Sequence, residues 1–148
     1  MSEAATTRQY ELRMERRFSA PPDAVFDAWT NPDVLQRWWA AGPSWETPLA
    51  EVDLRPGGRY RLTMRDPQAG GEYTVGGEYI EVRRPDRLIY TWAWEPAGES
   101  SRVTVDFRAD GDGTRVELTH SELASEESRA QHEHGWNACF DNLERVFA

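Results

Sequence analysis

The 148-residue sequence contains no lysine, a single cysteine and no long apolar run. The lone Cys139 excludes an intrachain disulfide and favours a reducing compartment. A membrane-spanning helix needs about 20 apolar residues, and no stretch approaches that length. Residues 1–7 are polar and contain no apolar signal region. We therefore expect a soluble protein of the cytoplasm that does not insert into membranes.

Positive charge is also scarce. Seventeen basic residues, all arginine, face 26 acidic ones, which gives a formal net charge of −9. Nucleic acids and anionic membrane surfaces select proteins with a positive surface. The charge balance therefore predicts no nucleic-acid partner.

Tryptophan, in contrast, is abundant, with seven copies. A tryptophan side chain is large, and its N–H group usually keeps a partner or water when the ring is buried. Seven such rings in one small domain predict a wide apolar interior, an exposed aromatic patch, or both.

The C-terminal stretch predicts a long amphipathic helix. Ser125 is a suitable N-cap, and Glu126 and Glu127 place negative charge in the first turn. Apolar residues then recur at spacings of three and four: Trp136, Cys139, Phe140, Leu143, Val146 and Phe147. A helix of about 20 residues with one apolar face requires a large apolar surface to pack against.

The preceding sequence predicts that surface. A strand over residues 10–18 is followed by two short helices, which start near Pro22 and Pro32, and by a loop over residues 40–48. Six further strands are predicted within residues 51–120, joined mostly by short turns, so neighbouring strands should be antiparallel. The orientation of the strand over residues 73–82 stays open, because Gly76 and Gly77 allow a bulge.

Alternation fixes the face of one strand in particular. In the predicted strand over residues 88–95, the side that contains Thr91 and ends in Glu95 is the more polar one. We expect the opposite side to face the long helix: Leu88, Tyr90, Trp92 and Trp94.

These elements define an α+β fold, a curved antiparallel sheet wrapped around a long C-terminal helix, with two short helices after the first strand. We expect one domain over residues 7–148 and a disordered tail over residues 1–6. No internal repeat or linker divides the chain.

Several segments in this order resemble the family homologous to the C-terminal domain of the activator of heat-shock protein 90 ATPase. They are residues 18–29, Trp38-Trp39, residues 55–59, 77–82, 88–92 and 113–120, and Gly135-Trp136. The similarity extends from about Tyr10 to Phe147. It implies the helix-grip fold of the START-like (SRPBCC) superfamily, which encloses an apolar cavity between sheet and helix. The eukaryotic co-chaperone has an additional N-terminal domain that engages the chaperone, and no segment here resembles that domain.

Aromatic residues and the inner face of the helix supply the candidate ligand-binding residues. An apolar pocket with a few polar groups is the usual form of a small-molecule site. The predicted lining comprises Trp38, Trp39, Tyr60, Met64, Tyr90, Trp92, Trp94, His120, His132, Gly135, Trp136, Cys139 and Phe140. Trp38 and Trp39 are expected near the entrance, and the volume is expected to be on the order of 300–1,000 Å3.

Gly135 interrupts the predicted helix, where glycine costs about 1 kcal/mol relative to alanine. Two explanations are open, the close approach of a strand and space left for a ligand. The sequence favours the first.

The leading functional hypothesis is a binding domain for an apolar small molecule, without established catalysis, cofactor or metal. One alternative is a cyclase- or hydrolase-like enzyme that uses polar groups in the cavity, with Glu78 or Glu81 as a candidate base. Another is a protein-interaction module resembling a co-chaperone, which an exposed aromatic patch would favour. His132-Glu133-His134 does not match a zinc-binding pattern, because residues i and i+2 point apart on a helix. Monomer and dimer both remain open.

Overall fold

A computed structural model describes residues 10–42, 44–96 and 98–148. The expected tail over residues 1–6 lies outside these residues. In chain order the elements are β1 (Tyr10–Phe18), α1 (Pro22–Thr30), α2 (Pro32–Trp38), β2 (Glu46–Val52), β3 (Arg59–Arg65), β4 (Glu72–Arg83), β5 (Arg87–Trp94), β6 (Ser101–Asp110), β7 (Gly113–Leu123) and α3 (Glu126–Val146). The described strands form one antiparallel sheet in the order β1-β7-β6-β5-β4-β3-β2. The predicted α+β helix-grip fold is confirmed.

The long helix begins as predicted. The side chain of Ser125 accepts a hydrogen bond from the backbone N–H of Ser128, and the helix continues for 21 residues. Its buried residues include Trp136, Phe140 and Leu143, which are 3% exposed or less. The apolar face that the spacing predicts is therefore the face that packs into the domain.

Strand β5 has the predicted orientation. Leu88, Tyr90 and Trp92 are buried, whereas the alternate residues of the strand are only half-buried. Trp92 reaches the helix, with its ring centroid 5.2 Å from that of Trp136.

The open question of β4 is settled by its pairing with β5. Val75, Gly77 and Tyr79 are buried, and the register shifts between Tyr79 and Glu81 rather than at the glycine pair. Gly77 has a different role, because a Cβ atom there would lie 2.0 Å from the carbonyl oxygen of Thr91. The glycine permits close approach of the two strands.

Strand β2 corrects the predicted boundaries. It spans Glu46–Val52, whereas the sequence pattern predicts a loop to residue 48 and a strand over residues 51–55. Pro48 therefore lies inside the strand, and β2 is an edge strand whose register shifts between Glu46 and Leu49. Proline is tolerated at such an edge position, because no hydrogen bond to a further strand is required.

Within the described residues, no helix is long and apolar enough to cross a membrane.

Candidate ligand pocket

A pocket of about 290 Å3 lies between the N-terminal half of α3 and the adjoining ends of β3, β4 and β5. The loop after α2 completes its wall. The lining residues are Trp39, Ala41, Trp45, Met64, Tyr73, Trp92, Trp94, Gln131, His132, His134, Gly135, Trp136 and Cys139. The volume is at the lower edge of the range typical of small-molecule sites.

Eight predicted residues lie on this wall: Trp39, Met64, Trp92, Trp94, His132, Gly135, Trp136 and Cys139. Their assignment as ligand contacts remains a prediction. The other five predicted residues do not line the pocket: Trp38, Tyr60, Tyr90, His120 and Phe140.

Trp38 and Phe140 belong to the packed core. Trp38 is 1% exposed, stacks at a tilt against Trp29 and donates its indole N–H to the carbonyl oxygen of Ala28. It therefore lies away from the expected entrance. Phe140 is fully buried, with its ring edge against Phe18 and Trp29.

The remaining three residues lie behind the pocket wall. Tyr60 and Tyr90 border a separate space of only about 20 Å3, large enough for little more than one water molecule. Their hydroxyl groups contact the Thr91 carbonyl and the Trp29 indole, respectively. His120 is fully buried beside Trp92 and Trp136.

Five lining residues were not predicted: Ala41, Trp45, Tyr73, Gln131 and His134. Trp45 and Tyr73 stack with ring centroids 6.1 Å apart, although they come from the α2–β2 loop and from β4. No local pattern brings these two rings together. Gln131 was detectable, since the residue four positions before Gly135 is its neighbour on the helix surface. His134 directly precedes Gly135, and helical spacing does not place it on the same face.

Gly135 faces open space. A Cβ atom at this position meets no atom within 4 Å. The sequence-based preference for close strand approach is therefore wrong, and the alternative of unfilled volume describes the position. The missing side chain contributes directly to the pocket.

His120 has a defined tautomer. The Trp136 indole donates to Nδ1 at 3.1 Å, so Nδ1 is unprotonated and Nε2 carries the hydrogen. Nε2 then donates to the Ser101 hydroxyl at 2.8 Å, and Ser101 donates to the backbone carbonyl of Trp92. Burial lowers the pKa of His120 to about 3, with a further contribution from His132. The imidazole is a neutral member of a structural hydrogen-bond chain.

His132 also has a defined tautomer, but here Nε2 is the acceptor and Nδ1 is the donor. The Trp94 indole donates to Nε2 at 3.1 Å, so Nδ1 carries the hydrogen and donates to the Ser128 carbonyl oxygen at 2.8 Å. Burial lowers the pKa of His132. Both ring nitrogens are occupied, and the imidazole is a neutral part of the wall.

Metal chemistry gains no support from these residues. No group of three or more metal-ligating side chains occurs in the part of the chain that the structure describes. The two imidazole rings lie 4.7 Å apart, but each lone pair accepts from an indole. The Cys139 thiol donates to the Ala40 carbonyl oxygen, and burial raises its pKa to about 12.

One buried polar atom is unpaired. Among the described residues, the indole nitrogen of Trp92 is the only fully buried side-chain nitrogen or oxygen without a hydrogen-bond partner. Trp92 borders the main pocket, the 20 Å3 space and a third pocket of about 190 Å3. The ring thus separates several poorly filled spaces.

Comparison with known proteins agrees with this architecture. The family described as "Activator of Hsp90 ATPase homolog 1-like protein" matches residues 19–148. The fold and this match define the class as START-like (SRPBCC). Within that class, the chain belongs to the activator of Hsp90 ATPase homolog 1-like family.

Solved structures give the same result. The chain is similar to an AHSA1 protein from Silicibacter pomeroyi at 28% identity and a TM-score of 0.82, covering 93% of this chain and 96% of that one. It is also similar to an AHSA1-like protein from Aeromonas hydrophila at 29% identity and a TM-score of 0.78, with coverages of 92% and 90%. A Chromobacterium violaceum protein at 22% identity has a TM-score of 0.85 over 93% and 96% of the chains, which concerns the fold alone. A comparison with curated protein sequences returned no match.

Proposed function

We propose that this protein binds an apolar small molecule in the pocket between α3 and the ends of β3–β5. The observation that carries the proposal is an unfilled volume of about 290 Å3 walled by six aromatic rings. Four side chains from separate elements illustrate this wall: Trp39, Tyr73, Trp94 and Trp136. An apolar ligand that enters removes both its own surface and these rings from water, which favours binding by about 25 cal/mol per Å2 of apolar surface.

Hydrogen bonding argues against acid–base catalysis by His120 and His132, and the exposed His134 is the other imidazole near the pocket. A general base needs a free lone pair within reach of the substrate proton. The Nε2 lone pair of His132 is taken by the Trp94 indole, and the Nδ1 lone pair of His120 is taken by the Trp136 indole. Glu78 and Glu81 do not line the pocket, and Glu81 is paired with Arg83.

The distribution of exposed apolar residues favours the pocket over an interaction surface. Among the described residues, the large apolar side chains that are well exposed are Tyr10, Tyr73 and Ile80. Tyr10 lies at the start of β1, at the opposite sheet edge from β2, so the three do not form one patch. The chaperone partner that the family name suggests therefore stays the second alternative.

Two uncharged probes test the proposal, namely tert-butylbenzene and 2-naphthol. Binding only to the folded state stabilises it by about 2.7 kcal/mol at a probe concentration of a hundred times Kd. We expect at least one probe to raise Tm and to give a saturable calorimetric isotherm. The Gly135→Leu variant should lose both signals, because leucine occupies the open volume.

Asn137→Leu is the matched control. It adds the same side chain to the same helix at an exposed position outside the pocket lining. This variant should bind the probes like the parent protein. Absence of binding by both probes, or equal binding by Gly135→Leu, would contradict the proposal.

The cytoplasmic location that the sequence favours remains part of this proposal. Its support is the single cysteine, Cys139, which is buried as a free thiol.

A further inference from the structure

The aromatic wall surrounds its volume from several directions. The Trp92 and Trp94 rings are perpendicular, at 90°, with centroids 5.5 Å apart. Trp39 is inclined at 61° to Trp92 and at 32° to Trp94. Rings that meet at these angles form a rounded enclosure rather than two parallel plates. A compact, rounded group fits such an enclosure better than a flat one.

The rings of this wall attract cations where they present their faces to the pocket. An aromatic face carries a partial negative charge and attracts cations within about 6 Å of the ring centre. Among the residues that the structure describes, no arginine lines the pocket. His132, which lines the pocket, is held neutral by the Trp94 donor and by burial. His134 is the second imidazole of the lining and lies at an exposed position.

Acidic residues near the pocket also favour a cation over an anion. The wall formed by Trp92, Trp94 and His132 also borders the 190 Å3 pocket, whose other lining residues include Glu99 and Glu122. Glu122 lies 3.5 Å from Arg102, so part of this negative charge is offset locally. Over the whole chain the formal net charge is −9. An anionic ligand would therefore meet neither a guanidinium group in the pocket nor a favourable long-range field.

We propose that the pocket selects a lipophilic cation, an apolar body that carries a compact alkylated ammonium group, over uncharged and anionic molecules of the same shape. This inference rests on the proposed function and narrows its ligand class. An alkylated ammonium has no N–H hydrogens that need acceptors, and its charge is spread over apolar methyl groups. The aromatic rings of Trp39, Trp92 and Trp94 line the pocket, and their faces are the groups that would replace the water lost on entry.

Three probes of nearly equal shape test the inference: trimethylphenylammonium, tert-butylbenzene and 2-methyl-2-phenylpropanoate. They carry one positive charge, no charge and one negative charge. Titration at pH 8, above the ordinary pKa of an imidazole, removes histidine charge as a variable. A cation–π contribution of about 0.5–2 kcal/mol predicts a Kd for the cation that is about 2- to 30-fold lower than that of the uncharged probe. The anion should bind most weakly.

Two controls separate the pocket from the acidic surface. Binding of a cation to surface carboxylates weakens strongly with salt, whereas contact with aromatic rings inside a pocket is screened much less. The preference for the cation should therefore persist when NaCl is raised severalfold. It should disappear in Gly135→Leu, persist in Asn137→Leu and shrink in Trp94→Leu, where one aromatic face is removed.

The outcomes distinguish this inference from the proposed function. Equal or tighter binding of tert-butylbenzene or of the anion would overturn the cation preference while leaving an apolar pocket. Binding of the cation alone would support the preference and contradict the uncharged ligand class. Absence of binding by all three probes would overturn both, as would cation binding that high salt abolishes and Gly135→Leu leaves unchanged.

Discussion

The two halves of helix α3 face the same sheet but meet it differently. In the C-terminal half, Phe140 and Leu143 have no exposed surface. In the N-terminal half, Gly135 meets nothing where a side chain would begin, and His132 and Trp136 border a pocket. Both halves are surrounded by aromatic rings, so the number of rings does not distinguish a filled core from an open site. The volume of the side chains on the helix distinguishes them.

Polar groups follow the same division. In the C-terminal half, Asn142 borders a separate space of about 200 Å3 beside the packed rings. Its amide donates to the backbone carbonyls of Trp38, Ala40 and Gly42 and so holds the segment after α2. In the open half, indole N–H groups hold His120 and His132 in neutral forms. The first set anchors the backbone and the second fixes the orientation of the rings around the pocket.

The largest expected effect is on packing. Phe140→Ala should lower the free energy of unfolding by about 3–5 kcal/mol, because a cavity forms in a fully packed region. Met64→Ala, at the half-buried pocket wall, should cost much less, since that side chain already borders open space. Urea denaturation measures both. Equal losses would contradict the contrast between a filled and an open half.

Removal of the Asn142 amide should have the next largest effect. Asn142→Leu leaves buried backbone carbonyls without their donor, and we expect a loss of about 1–3 kcal/mol in the free energy of unfolding. Probe binding should weaken too, because Trp39 lies between two of the anchored carbonyls. Asn137→Leu, on the exposed side of α3, is the control for both measurements. Unchanged probe affinity in Asn142→Leu would show that the anchor and the pocket are independent.

Acid should weaken the fold through His120. The pKa of this residue is about 3 in the folded state and 6.5 as an ordinary value, so the unfolded chain binds more protons between those limits. Stability is therefore lost as the pH falls below 6.5. Between pH 6.5 and 5, before most carboxylates titrate, the loss from this group is about 1.5 kcal/mol.

Denaturation at several pH values measures this slope. His120→Gln should flatten it, whereas His134→Gln, at an exposed position, should retain it. A slope that survives His120→Gln intact would assign the acid sensitivity to other groups. His132, whose pKa is also lowered by burial, would then be the next residue to test.

The smallest expected effect has the opposite sign. Gly135→Ala should raise the free energy of unfolding by about 0.5–1 kcal/mol, because alanine favours a helix and its methyl group meets no atom within 4 Å. Thermal denaturation and urea titration measure the gain. A loss of stability would mean that the helix requires the glycine backbone there, and the open half would owe its shape to more than side-chain volume.

Fold prediction from sequence succeeded where periodicity was local. The cap at Ser125, the apolar spacing of α3 and the alternation in β5 each depend on neighbours within a few residues. The start of β2 was predicted too late, because the tolerance of Pro48 depends on whether its strand lies at the edge of the sheet. Local pattern does not carry that information.

The site divides along the same line. By itself the sequence determined that tryptophans and a small-residue helix face occur on the inner side of the domain, since side-chain direction follows from helix and strand period. Only the tertiary structure decided which rings remain beside open volume. Trp38 packs against Trp29 of α1 and belongs to the core. Trp45 and Tyr73 are distant in sequence, but their rings stack and extend the pocket wall. Volume left between elements is a property of their packing, and no period along a single element encodes it.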